Sequence, residues 1–545
     1  MHKTFVSITL ALVFLLSGYG VTRLAAAPPP PLFDELGHLS HTVTTGSPLA
    51  QRYFNQGLRL TWGFNHDEAL AAYEEAARID PACAMCEWGT AYVLGPNINL
   101  PMDPAAEPRA HAAIQRALAH IDRVSPLERL LIRALATRYG PETDDDGIYR
   151  AARDAAYAEA MRQVAARYPN DADVQSLFAD ALMNLSPWHY WGPEGEPLAH
   201  TEDQVAAVQK ALAANPDHPG ACHLWIHTME ASSHPERALS CADRLPALMP
   251  GAGHLVHMPA HIYMRLGMYD RAVKNNEQAV AVDARYMTRR PRKPGAESFY
   301  RQLYIPHNDH FMWFAAVQQG DRDKALSAAR GLARRMPVEM VRAKPSLEFF
   351  TPTRLYTLVR FGMWQQVLAE PAPPADLTYS TGMWHHARGL ALTANGDPAG
   401  ARVELARLLS ITDATDAGRI ISLNPARTLL EIAGATLRGK IAAAEGRTDD
   451  ARVAFTEGIR LEDSLLDDEP HPWYHPVRQH LAGTLLNAGH AAEAATAFRA
   501  DLGRHPENVW SLHGLARSLK VLGDPEAERV KARFRTQWRG ANLPL

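Results

Sequence analysis

HPVRQHLAGTLLNAGHAAEAATAFRADLGRHPENVWSLHGLARSLKVLG, residues 475–523, sets the frame for the whole chain. Its last segment places Leu512, Leu515, Ala516 and Leu519 on one apolar face at helical spacing, and Gly523 stops it. Moved back by 34 residues, Ala516 and Gly523 fall on Ala482 and Gly489. A fixed period of this length predicts stacked helical hairpins, each unable to bury its apolar face alone.

The same spacing recurs at Gly439, Gly446, Ala451 and Phe455, at Gly389, Gly396 and Ala401, and at Tyr53, Gly57, Ala69, Tyr73, Ala76 and Pro81. This pattern resembles the tetratricopeptide repeat family, with a small residue at position 8, Ala at 20, an aromatic at 24 and Pro at 32. The resemblance implies an all-α fold, a tetratricopeptide-type helical-hairpin solenoid wound as a right-handed superhelix. The first helix of each repeat would line its concave groove. Frames fall at 50–83, 219–252, 253–286, 306–339, 348–381, 382–415, 432–465, 475–508 and 509–542. The chain then divides into N-terminal repeats with insertions (47–218), His-rich repeats (219–339) and C-terminal repeats (340–545). A basic insertion, Met287 to Ile305, interrupts the His-rich part.

Lys3, the apolar run Phe5 to Leu16 and Ala25-Ala26-Ala27 have the layout of an export signal, residues 1–26, followed by a Pro-rich linker, 27–46. The expected location is periplasmic or extracellular. No other stretch approaches 18 apolar residues, so no membrane span is expected in the mature chain. In 545 residues, a net charge of −4 gives no reason to expect a nucleic-acid partner. The 46% hydrophobic content rules out wholesale disorder.

Nine of the 25 histidines lie between His218 and His310, and their register repeats. His223 and His227 are one turn apart on one helix, with Glu230 three residues on. Adding 34 maps them onto His257 and His261. Adding 53, to include the insertion, maps His257 onto His310 and His254 onto His307. In tetratricopeptide proteins, positions 2, 5, 9 and 12 of the first helix face the groove. The resemblance thus places His223, His227, Glu230, His254, His257, His261, His307 and His310 there. Imidazoles with a carboxylate suit a transition-metal ion, Zn, Cu or Fe, and not Ca or Mg. Pro259 stands between His257 and His261, so that helix is either kinked or begins there. The unbroken His223–His227 pair is the better expected chelate.

Cys83 and Cys86 are expected to form a local disulfide, and Cys222 and Cys241 to staple one hairpin, as befits an exported chain. Trp188-His189-Tyr190-Trp191 lies in an insertion that could form a lid over the groove. There is no His-Glu-x-x-His, no Gly-rich phosphate loop and no Gly-x-Ser-x-Gly. Two functions remain open. One is a His-rich transition-metal site used in binding or metal-dependent chemistry. The other is a metal-free scaffold holding a protein or peptide in the groove.

Overall fold

Rings set against glycines fix the helix spacing. Tyr73, fully buried, lies between Gly57 of its own repeat and Gly89 of the next. A Cβ at Gly57 would stand 2.7 Å from the Tyr73 ring, and one at Gly89 2.3 Å. Phe455 meets Gly439 in the same way, and Phe498 meets Gly514 of the following repeat. Each small residue lets a neighbouring helix approach across an aromatic ring at close-packed density.

The computed structural model describes residues 29–141, 149–192, 195–290 and 298–540. Residues 1–26, read as the export signal, lie outside the described residues. The chain is an all-α array of antiparallel hairpins, beginning with Pro48–Trp62 and His66–Ile79. The second helix of a repeat stops just ahead of its proline: Ile79 before Pro81, Leu248 before Pro250, Arg335 before Pro337 and Arg504 before Pro506. Proline disfavours the helical region for the residue before it. The stretch 84–218 forms three more hairpins, the first pairing Ala84–Leu94 with Glu107–Ala119. A two-residue β-ladder, Ile420–Ile421 with Asn424–Pro425, bridges two C-terminal repeats. Among the described residues, no helix is long and apolar enough to cross a membrane.

Both ends of the array close onto the His-rich repeats. On the N-terminal side, Gly251 N donates to Glu35 O (2.7 Å), and Glu68 pairs with Arg290 (2.7 Å). On the C-terminal side, Trp510 Nε1 donates to Val317 O (2.8 Å), and Tyr269 Oη to Pro506 O (2.7 Å).

Candidate metal centre

The Pro219–Met229 helix is fixed at its start by His218, whose Nδ1 accepts from Ala221 N (2.9 Å) while Nε2 meets Asp173 (2.9 Å). Cys222 is bonded to Cys241 on the partner helix of the hairpin, and Cys83 to Cys86 further back. A Cβ at Gly220 would stand 2.3 Å from the Trp62 indole. That close approach lets His223 Nδ1 donate to Trp62 O at 2.7 Å.

Pro259 does break its helix. Gly253–His257 ends and Pro259–Arg265 begins across Met258. The break carries His261 back toward His257, and their Nε2 atoms lie 2.7 Å apart. The interrupted helix therefore makes the tighter pair, against the sequence expectation. On the unbroken helix, His223 and His227 have ring centroids 4.8 Å apart, and His223 Nε2 lies 3.1 Å from His254 Nε2.

Seven of the eight residues assigned from sequence come together: His223, His227, Glu230, His254, His257, His261 and His307. They form two adjacent tri-histidine sets, His223 with His227 and His254, and His257 with His261 and His307. In each set, nitrogens from all three rings lie within 4.8 Å of one another. His227 and His261 meet across the two sets, with centroids 5.5 Å apart.

The outer nitrogens are held by the protein. His257 Nδ1 donates to Asn276 Oδ1 (2.7 Å), and Asn276 is oriented by its own bond to Ala272 O (2.8 Å). Glu230 takes one ring from each set, His227 Nδ1 at 2.7 Å and His261 Nδ1 at 2.6 Å. Glu469 Oε1 stands 3.1 Å from the same His261 Nδ1. With Nδ1 thus engaged as donor, Nε2 carries the lone pair. His227 Nε2 is buried with no hydrogen-bond partner.

Burial dominates the electrostatics. It holds His223, His254, His257 and His307 well below the ordinary imidazole range, each lowered further by neighbouring imidazoles. It takes His227 down to about 3. These rings are neutral, the form that binds a metal. Burial also pushes Glu230 up to about 8, and Glu469 to about 8 with the Glu230 charge adding to it. The same four groups, His227, Glu230, His261 and Glu469, converge as a third possible ligand set. Their Nδ1 contacts to carboxylates favour an orienting role for the acids.

An open groove was expected, but these side chains are buried, His307 and Glu469 partly so. Phe64 lies over His223 (4.4 Å between centroids), His254 (5.6 Å) and His227 (6.0 Å). Trp188 sets its edge against His227 and donates Nε1 to Ile98 O, while Trp191 donates to Thr228 O. The Trp188 to Trp191 insertion thus covers the site, as a lid would. A cavity of about 70 Å³ reaches His261, Glu230 and Glu469 from the side of Arg265, Asp467 and Arg504.

No family model matches the sequence, and no curated protein matches it. Among solved structures, the chain is similar to the human IFIT1 dimer with m7Gppp-AAAA, at 13% identity over 91% of each chain and a TM-score of 0.34. It is similar to the APC/C hetero-tetramer Cut9–Hcn1, at 15% identity over 86% of this chain and 76% of that one, with a TM-score of 0.31. Yeast Tom70 aligns at 12% identity over 89% of each chain, with a TM-score of 0.25. The fold assignment rests on the hairpins and their glycine–aromatic contacts.

His310 is the residue that sequence reasoning placed wrongly. Its ring stacks on Trp313 at 5.1 Å and packs against Phe349 and Phe350. A π-helical turn, Tyr300–Tyr304, leads into this helix, and it is His307 and Phe311 that face His257 and His261. Glu469 was missed. It lies in the segment between two C-terminal repeats, Asp467-Asp468-Glu469-Pro470-His471, where only the clustering of acids, Pro and His marked it.

Proposed function

We propose that this chain is exported and holds two transition-metal ions in adjacent tri-histidine sites, using them in metal-dependent chemistry on a small molecule. The observation that carries this reading is the pairing of two His sets through Glu230, with His227 Nε2 left buried and unpartnered. An unpaired polar atom in such a place costs roughly 1–3 kcal/mol unless something binds it. All-imidazole sets suit copper or zinc better than iron, whose open sites typically add a carboxylate ligand. Bound ions, held by His223, His227 and His254 in one set and by His257, His261 and His307 in the other, would supply Lewis acidity.

The protein's part is to orient the rings through Trp62 O, Asn276 and Glu230, to exclude bulk water with Phe64 and Trp188, and to admit only small reagents through the side cavity. The scaffold alternative places a peptide in the groove, but at the His-rich repeats Phe64 and Trp188 occupy that space.

Elemental analysis of protein purified without a His tag tests the reading. The expected content after loading and desalting is two equivalents per chain. A stoichiometry near zero would overturn it and leave the scaffold function.

A further inference from the structure

A second concave site lies in the C-terminal repeats, away from the histidine sets. Its cavity is about 480 Å³, within the range of small-molecule pockets. The floor is buried and the rim, at Gly446 and Asn487, is exposed. Arg360 and Lys440 both line it, and no Asp or Glu does.

Neither cation is neutralised. Arg360 is only 4% exposed, and its guanidinium lies 3.9 Å over the Trp510 ring. Nη2 donates to Gln479 Oε1 (2.6 Å), and Nε has no partner. Lys440 is half-buried and makes no hydrogen bond or ion pair among the described residues. Burial lowers both, Arg360 to about 9. The nearest anion, Asp501, sits behind Gln479 (2.8 Å) and is taken up by Ser511, Asn508 and His505. His475 and His480 line the same wall, tilted against each other with centroids 3.8 Å apart, and burial keeps both neutral.

A buried charge without a counter-charge is destabilising by several kcal/mol, so it is normally paired or reserved for a ligand. The buried Arg360 and the half-buried Lys440, facing one cavity, are together complementary to an oxyanion. The volume is far larger than an inorganic ion needs, and Trp364, half-buried, adds a flat apolar wall. We propose that this cavity binds a small organic anion, its carboxylate or phosphate head between Arg360 and Lys440 and its apolar body against Trp364. The site stands independently of the metal reading.

The test is a titration of the full chain, followed by tryptophan fluorescence and calorimetry, with 3-phenylpropionate, phenyl phosphate, inorganic phosphate and the neutral 3-phenylpropionamide. The two organic anions should bind, the tighter of them showing which head group is preferred. The amide and inorganic phosphate should each bind at least about tenfold more weakly, as expected when a charged hydrogen bond or the apolar contact is missing. Lys440→Met should lower organic-anion affinity by about tenfold or more, with the helical circular dichroism and the metal content unchanged. The proposal is overturned if the amide or inorganic phosphate binds as tightly as the organic anions. It is also overturned if Lys440→Met has no effect, or if neither organic anion binds below about 10 mM, a level at which affinity is only about 3 kcal/mol.

Discussion

Glu469 Oε1 stands 3.1 Å from His261 Nδ1, on the side of the ring opposite the nitrogen that faces His257. The two residues come from distant repeats, so a C-terminal inter-repeat segment steadies a ring of the His-rich region. Glu230 reaches both His227 and His261, whereas Glu469 lies nearer His261 than His227, at 3.1 Å against 3.9 Å.

This asymmetry gives the first prediction. Glu230→Gln should weaken metal binding at both sets, and Glu469→Gln chiefly at the His257 set, each by about 10–100-fold. Competition titration with a chromophoric chelator resolves the two classes of site. Equal effects of Glu469→Gln on both would contradict the assigned roles.

The histidines divide in the same way. His223→Ala and His257→Ala should each remove one metal equivalent of two. His310→Ala, whose ring packs on Trp313, and His385→Ala, whose Nδ1 meets Glu404 (2.5 Å), should leave both in place. Metal analysis of the four purified variants decides it. Loss of metal in His310→Ala would restore that residue to the site.

Cys83–Cys86 and Cys222–Cys241 should be found as the only disulfides in the purified protein, by peptide mapping without reductant. The longer loop spans a sequence separation of 19. Opening it by replacing both cysteines with serine should cost about 3 kcal/mol in the chain-entropy view, read as a lower denaturation midpoint.

Gly89→Ala tests the packing that defines the repeat. Its new Cβ would stand 2.3 Å from the Tyr73 ring, which is itself held against Gly57 and cannot retreat. Overpacking of this kind costs about 1–3 kcal/mol. Gly483→Ala, with nothing within 4 Å of the added carbon, should be neutral or slightly stabilising by helix propensity. Thermal unfolding of the pair gives the comparison.

Acid should unfold the metal-free protein. Burial lowers His66 and His386 to about 4 and His310 to about 3, against 6.5 when unfolded. The unfolded chain takes up these protons first, so stability falls with pH below 6.5, by about 1.4 kcal/mol per unit for each ring. Glu462, raised by burial to about 8, opposes this until pH 4.5, where it is protonated in both states. The loss should therefore be steepest between about pH 4.5 and 4, below which His66 and His386 are protonated in both states. Urea midpoints across that range measure it. His386→Gln should flatten the slope, and an unchanged slope would show that this ring does not stay neutral in the fold.

The repeat and most of the histidine cluster were legible in the sequence because both are periodic. Gly57, Tyr73 and Pro81 recur at fixed offsets, since a hairpin must stack on its neighbour with the same small-against-large contact each time. The same period carried His223 to His257 and His227 to His261. Where the period was broken, the sequence was a poorer guide. Pro259 split one helix and drew His257 and His261 closer together, and after the insertion His307 joined the cluster while His310 packed on Trp313. The division into two sets, the burial beneath Phe64 and Trp188, and the arrival of Glu469 were decided only by the tertiary structure. Such contacts join residues from different turns of the superhelix, and one repeat's spacing specifies its neighbours but not which segments meet when the array closes around them.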